Sequence, residues 1–182
     1  RDASKIICEN GKFYVWYTHR QTPHAPVGMG RAKEATDAIP SADWDLAEIW
    51  YATSEDGFRW IEQGPAFERP AKPAPGWRSV STPDILKWKG RFYLYFQAFT
   101  EPSGLRGDYC PVSVAHADSP DGPWTIHEGE VLPTGEAGAW DQFAVHDPHP
   151  LVHDGKAYAY YKSAFGRPDV LTLGQGRAIA DD

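Results

Sequence analysis

The sequence predicts an all-β chain folded as blades of a β-propeller, and three observations carry that prediction. One hairpin design occurs three times, a second turn motif trails the hairpins, and the copies share a common period. With 182 residues, 41% of them hydrophobic, there is enough chain for a buried core, and a single domain over residues 1–182 is expected.

Each hairpin sets a Gly and a basic residue ahead of an unbroken aromatic and aliphatic run. The three are Asn10-Gly11-Lys12-Phe13-Tyr14-Val15-Trp16-Tyr17, Lys89-Gly90-Arg91-Phe92-Tyr93-Leu94-Tyr95-Phe96 and Asp154-Gly155-Lys156-Ala157-Tyr158-Ala159-Tyr160-Tyr161. A run with apolar residues precedes each turn, at Lys5–Cys8, Asp84–Trp88 and Pro150–Val152, so each unit reads as a β-hairpin. The second strand is apolar at consecutive positions, which predicts that both of its faces are covered. The trailing motif runs Ile49-Trp50-Tyr51-Ala52-Thr53-Ser54-Glu55-Asp56-Gly57 and then Val112-Ser113-Val114-Ala115-His116-Ala117-Asp118-Ser119-Pro120-Asp121-Gly122. Its Asp-Gly pairs suit tight turns, and Trp60 and Trp124 follow to pack across them. A third copy begins at Gly176-Arg177-Ala178-Ile179.

Gly57 and Gly122 lie 65 residues apart, as do Gly90 and Gly155. Repetition at that period implies about four strands per unit, and blades packed face to face around an axis satisfy it. About three blades are present, fewer than the smallest usual ring, and Arg1 is not an initiator methionine. The chain is therefore expected to be an interior piece, with further chain on the C-terminal side. A long insertion, Arg20 to Asp43, has the composition of a surface loop, in which Glu34–Asp37 is expected to form a helical turn.

Several functions are disfavoured. A net charge of −7 argues against a phosphate-backbone partner, so no nucleic acid is expected. No apolar run approaches the roughly 18 residues that cross a bilayer. Cys8 and Cys110 are expected to be free, partly buried thiols. There is no G-x-S-x-G, Walker or H-E-x-x-H motif, and Gly174-Gln175-Gly176 leads into a strand, unlike a dinucleotide fingerprint.

Carboxylates stand near the blade starts: Asp2, Asp84 in Thr82-Pro83-Asp84, and Asp147 in His146-Asp147-Pro148. Innermost strands converge on a propeller axis, so these groups are expected to share a funnel. Glycoside hydrolysis needs such a pair, one carboxylate to activate water or attack and a protonated partner to serve the leaving oxygen. Capping of turns beside the prolines is the competing reading. Asp84, Thr82, Gln97 and His146 are the substrate-binding candidates, with Gln142 near the same strand ends. His146, next to Asp147, reads as a hydrogen-bond donor to substrate or as a partner supporting the carboxylate. The cluster His146, His149 and His153 is interrupted by Pro148 and Pro150, so no direct histidine metal site is expected; a water-coordinated divalent cation in the funnel is left open. Trp44, Trp77 and Trp140 are candidates for stacking on a sugar, whereas Trp16, Trp50, Trp60 and Trp124 read as packing.

The strings Arg1-Asp2-Ala3-Ser4, Gly11 to Thr18, Trp44 to Gly57, Thr82-Pro83-Asp84-Ile85-Leu86 and His146-Asp147-Pro148 are similar, in order, to glycoside hydrolases of family 117. The resemblance spans nearly the whole chain. It implies a five-bladed propeller that removes 3,6-anhydro-L-galactose from the non-reducing end of neoagarooligosaccharides, cleaving the α-1,3 bond with inversion. On that resemblance Asp2 matches the general base and Asp147 the carboxylate that tunes the acid, while Thr82, Gln97 and His146 match sugar contacts. Ala3 stands where the family often has Pro, and the family's general acid, a histidine, belongs to a later blade. A broader resemblance to family 43 rests on the blade pattern. It leaves an arabinan- or xylan-acting enzyme, or a non-catalytic carbohydrate-binding propeller, as alternatives. An oligosaccharide is the expected partner. Export to the periplasm or medium is expected by family analogy, and a homodimer is allowed for the full-length protein.

Overall fold

Three antiparallel sheets follow one another along the chain in the computed structural model, which describes residues 2–20, 22–106, 108–167 and 170–180. The first holds β1 (Ile7–Glu9), β2 (Lys12–Arg20), β3 (Ala47–Ser54) and β4 (Ile61–Pro65) in that order. The second repeats the meander with β5 (Ser79–Trp88), β6 (Arg91–Phe99), β7 (Val112–Ala117) and β8 (Thr125–Ile126). The third holds β9 (His146–His153), β10 (Lys156–Arg167) and β11 (Val170–Ala180). Sheets made of sequential neighbours, each packed on the next, are propeller blades.

The Gly motifs close the hairpins as expected. Glu9 pairs with Lys12, Trp88 with Arg91 and His153 with Lys156, leaving two-residue loops. Both loop residues take positive φ, 51° and 81° at Asn10-Gly11, 48° and 82° at Lys89-Gly90, 49° and 74° at Asp154-Gly155. That is the turn whose twist matches the flanking strands. The trailing motifs join β3 to β4 and β7 to β8, and the third copy forms β11. At the first of these turns the Asp56 carboxylate accepts the amides of Phe58 and Arg59 at 2.9 and 2.8 Å, which holds its pKa below the usual carboxylate value.

The core lies between the first two blades. Tyr14, Trp16 and Ile49 meet Val80, Ile85, Leu94 and Phe96 there. Trp16 is fully buried, stacked beside Tyr14 and Tyr51 at 6.1 and 6.4 Å, with Trp124 edge-on at 5.8 Å. Consecutive burial of Trp16, Tyr17 and Thr18, and of Phe96 to Phe99, shows the second strands of the first two blades covered on both faces, whereas in the third Tyr158 to Tyr161 are only half-buried and Lys162 is exposed, against the expectation. Polar ties add to this contact: Tyr14 Oη donates to Asp121 at 3.0 Å, joining β2 to the β7–β8 turn.

The insertion is anchored by a buried ion pair. Arg78, just before β5, donates through Nε and Nη2 to the two oxygens of Asp45, each at 2.7 Å, and through Nη1 to the Thr36 carbonyl at 2.6 Å. Asp45 also accepts the Ser41 amide at 2.7 Å, so the loop end is locked onto the second blade. The expected helical turn at Glu34–Asp37 is displaced: a 3-10 helix covers Met29–Glu34, and Ala35 is already extended. The cause is Thr36, whose hydroxyl accepts the amides of Ala38 and Ile39 and so competes with helical bonding. Among the described residues no helix is long and apolar enough to cross a membrane.

Truncating Trp16 to Ala leaves a large void between blades, and the unfolding free energy of the intact protein is expected to fall by about 3–5 kcal/mol in denaturant titrations. A loss below about 1 kcal/mol would show that this contact does not hold the blades together.

Candidate active site

The starts of β5 and β9 follow one plan. Thr82-Pro83-Asp84 and Asp147-Pro148-His149 occupy equivalent places, 65 residues apart. Thr82 and Asp147 both have φ of 49°, and both hairpins show a register shift beside them. A left-handed backbone at a non-Gly residue costs of order 1–3 kcal/mol and persists only where the surroundings enforce it. Two such residues at matching bulges mark this end of the blades as built for a purpose other than stability.

The first blade supplies Asp2 by a short extension ahead of β1. Its carbonyl accepts the Thr18 amide at 3.0 Å, Ala3 bridges to Tyr17, and the Ser4 amide donates to the Trp16 carbonyl at 2.8 Å. Thr18 Oγ1 in turn accepts the Thr82 amide at 2.8 Å, which stitches the first blade to the second at the rim.

Asp2, Thr82, Gln97, His146 and Asp147 line one cavity of about 220 Å³. Trp44, Asp108 and Lys162 complete its wall. Asp147 is ion-paired with Lys162, and its amide donates to Gln97 Oε1 at 3.4 Å. Gln97 Nε2 donates to Cys110 Sγ at 3.4 Å. Cys110 is fully buried, and burial pushes its thiol well above the ordinary value, so it serves as a neutral rest for the glutamine. His146 Nε2 faces Asp108, 3.2 Å from its carbonyl and 3.3 Å from Oδ2. The Trp44 indole donates to Ser103 Oγ at 2.8 Å, which holds the ring between the two blades.

Asp84 is not brought to this cavity. It is 3% exposed and turned between the blades, where it accepts the Lys5 and Ile85 amides at 3.0 and 2.9 Å. Its Oδ2 lies 3.1 Å from Lys5 Nζ and 2.7 Å from His149 Nδ1. The three histidines do not converge: His146 is in the cavity, His149 is on Asp84, and His153 lies 3.4 Å from Asp154. Among the described residues no group of three or more His, Cys, Asp or Glu is placed to hold a metal ion. Gln142 accepts the Gly138 amide within its own loop. Trp77 lies under Lys72 Nζ at 3.9 Å and Trp140 stacks on Tyr161 at 5.8 Å, so of the three candidate platforms only Trp44 reaches the cavity.

Two lining residues, Asp108 and Lys162, were not singled out from sequence. Lys162 had a usable mark, since it sits 65 residues after Gln97 and pairs with His146 as Gln97 pairs with Ser81. Asp108 had none; it reaches the cavity through a parallel bridge between Cys110 and Ala144 outside the blade pattern.

Carboxylates from separate blades around an axial cavity define a class, the β-propeller glycoside hydrolases. The chain belongs to glycoside hydrolase family 117. It is 63% identical, over 100% of its length, to Zg3597, a family 117 glycoside hydrolase produced by the marine bacterium Zobellia galactanivorans, with a TM-score of 0.94. The profile of Glycosyl hydrolases family 43 matches residues 39–173. Two more distant structures share the fold. CoXyl43, a GH43 beta-xylosidase/alpha-arabinofuranosidase from a compost microbial metagenome, is 23% identical with a TM-score of 0.60, covering 87% of this chain and 41% of that one. An endo-arabinase from Bacteroides thetaiotaomicron is 16% identical with a TM-score of 0.55, covering 90% of this chain and 45% of that one. The chain spans about half the length of these relatives, 52% in the case of Zg3597. Comparison with curated proteins returned no match.

Replacing Asp84 by Ala takes the acceptor from the Lys5 and Ile85 amides, while Lys5 Nζ and His149 keep access to water, and is expected to lower the unfolding free energy by about 1–3 kcal/mol. Unchanged stability would show that the three-blade tie is not what holds the strand starts.

Proposed function

We propose that this chain contributes to an inverting, exo-acting glycosidase that releases 3,6-anhydro-L-galactose from the non-reducing end of neoagarooligosaccharides. The observation that carries the reading is that Asp2 and Asp147, from the first and third blades, open onto one cavity beside Thr82, Gln97 and His146. Among the described residues the Asp2 carboxylate has no ion-pair partner, which suits a base that must take a proton from water. Asp147, tied to Lys162, is suited to setting the field around a proton donor. Substrate and bond come from the likeness to family 117.

A second reading, an arabinan- or xylan-acting glycosidase, is favoured by the family 43 match over residues 39–173. The sugar released separates the two. Export to the periplasm or medium and a homodimer of the full-length protein belong to the same proposal, to be read by cell fractionation and light scattering.

In the full-length protein, Asp2→Asn and Asp147→Asn are each expected to lower kcat on neoagarobiose by about 10²–10⁴-fold. Unchanged turnover in either variant would refute the role assigned to that carboxylate. With the unmutated enzyme, proton NMR of the first product formed is expected to show the anomer opposite to that of the substrate, which requires carboxylates about 6.5–9.5 Å apart.

A further inference from the structure

His146 has two ring nitrogens, and the structure commits one of them. Nε2 lies 3.2 Å from the Asp108 backbone carbonyl and 3.3 Å from Asp108 Oδ2. A carbonyl oxygen only accepts, and so does an ionised carboxylate, so Nε2 must carry the proton that both receive. A neutral imidazole has one N–H, which leaves Nδ1 with a lone pair. His146 is 9% exposed and lines the cavity, so Nδ1 is the ring atom left for a ligand there.

Asp108 is held for this task. The Val145 amide donates to the Cys110 carbonyl at 2.9 Å, and the Cys110–Ala144 bridge runs the segment around Asp108 parallel to the start of β9. Asp108 also lines the cavity, and its Oδ1 is buried with no hydrogen-bond partner among the described residues. An orphan acceptor of this kind marks a place where a water or a ligand group completes the network.

We propose that Asp108 is a positioning residue that fixes the Nε2–H tautomer of His146, so that His146 receives a hydrogen bond from a sugar hydroxyl through Nδ1 instead of donating one. The sequence offers His146 as a donor to substrate or as a partner supporting the carboxylate; in this proposal it faces the sugar as an acceptor. Discrimination follows: a hydroxyl at that ring position can donate to the bare nitrogen, whereas a methyl ether, a sulfate ester or a bridging ether oxygen cannot. The sugar in this statement rests on the proposed function, but the tautomer does not.

The test therefore has two arms. Nitrogen-15 NMR of the full-length protein labelled at histidine reads the His146 tautomer without substrate, with assignment by His146→Gln. The Nε2–H pattern is expected, and an Nδ1–H pattern overturns the proposal whatever the enzyme hydrolyses. In the second arm, Asp108→Ala is expected to blur that pattern and raise KM by ~10-fold with a smaller change in kcat, as loss of one directed hydrogen bond predicts. Asp108→Asn, which keeps a side-chain acceptor, should restore much of the affinity. Asp108→Ala keeps the backbone carbonyl and removes only the carboxylate, so unchanged KM and nitrogen signals would show that the Asp108 side chain does not position His146 and would overturn that role. Should the alanine variant fail to fold, the wild-type spectrum and the asparagine variant decide. A wild-type enzyme inactive on neoagarooligosaccharides, but with the expected tautomer, would count against the function and not against the positioning.

Discussion

One buried carboxylate organises this half-propeller. Asp84, at the start of the second blade, takes the Lys5 amide and ammonium from the first blade and the His149 imidazole from the third. Lys5 Nζ also reaches the Pro150 carbonyl at 2.5 Å, so first and third blades touch directly around it. Burying a carboxylate costs several kcal/mol unless partners replace water, and here each partner comes from a different blade. The cavity residues ride on this junction. Asp2 stands three residues before Lys5, Thr82 two before Asp84, and Asp147 two before His149. Fixing the junction fixes where the three segments enter the rim, which is how groups 145 residues apart in sequence come to share a space of about 220 Å³.

Above the junction, two adjacent blades use one scaffold for two chemistries. Thr82 and Gln97 in the second blade are replaced at the same positions of the third by Asp147 and Lys162, a neutral pair by an ion pair. The Asp147 amide donates to Gln97, so the neutral pair steadies the charged one across the blade boundary. Trp44 closes the wall from the insertion, and its placement depends on the Arg78–Asp45 pair, since the next residue, Ser79, donates its hydroxyl to the Trp44 carbonyl at 2.5 Å. Backbone, insertion and interblade contacts thus each set one side of the cavity.

The blades were legible because their signals are local and repeated: two-residue Gly turns, consecutive apolar strands and a 65-residue period. The meeting of Asp2, Thr82, Gln97, His146 and Asp147 followed from placing strand starts at an axis, helped by the family resemblance. Asp84 escaped that reasoning because strand alternation puts residues i and i+2 on one face, and the left-handed Thr82 breaks the alternation, sending Asp84 between the blades. Asp108 was invisible for a different reason. It lies in a connection with no periodic mark, and only a tertiary bridge carries it to His146.

The central claim is that the terminal sugar sits between Asp2 and Asp147, and a crystal structure of the full-length Asp2→Asn protein soaked with a neoagarooligosaccharide tests it most directly. The account predicts one terminal ring in the cavity, its hydroxyls on Thr82, Gln97 and His146 and its glycosidic carbon facing residue 2. A sugar bound elsewhere, with this cavity filled by other parts of the protein, would contradict it.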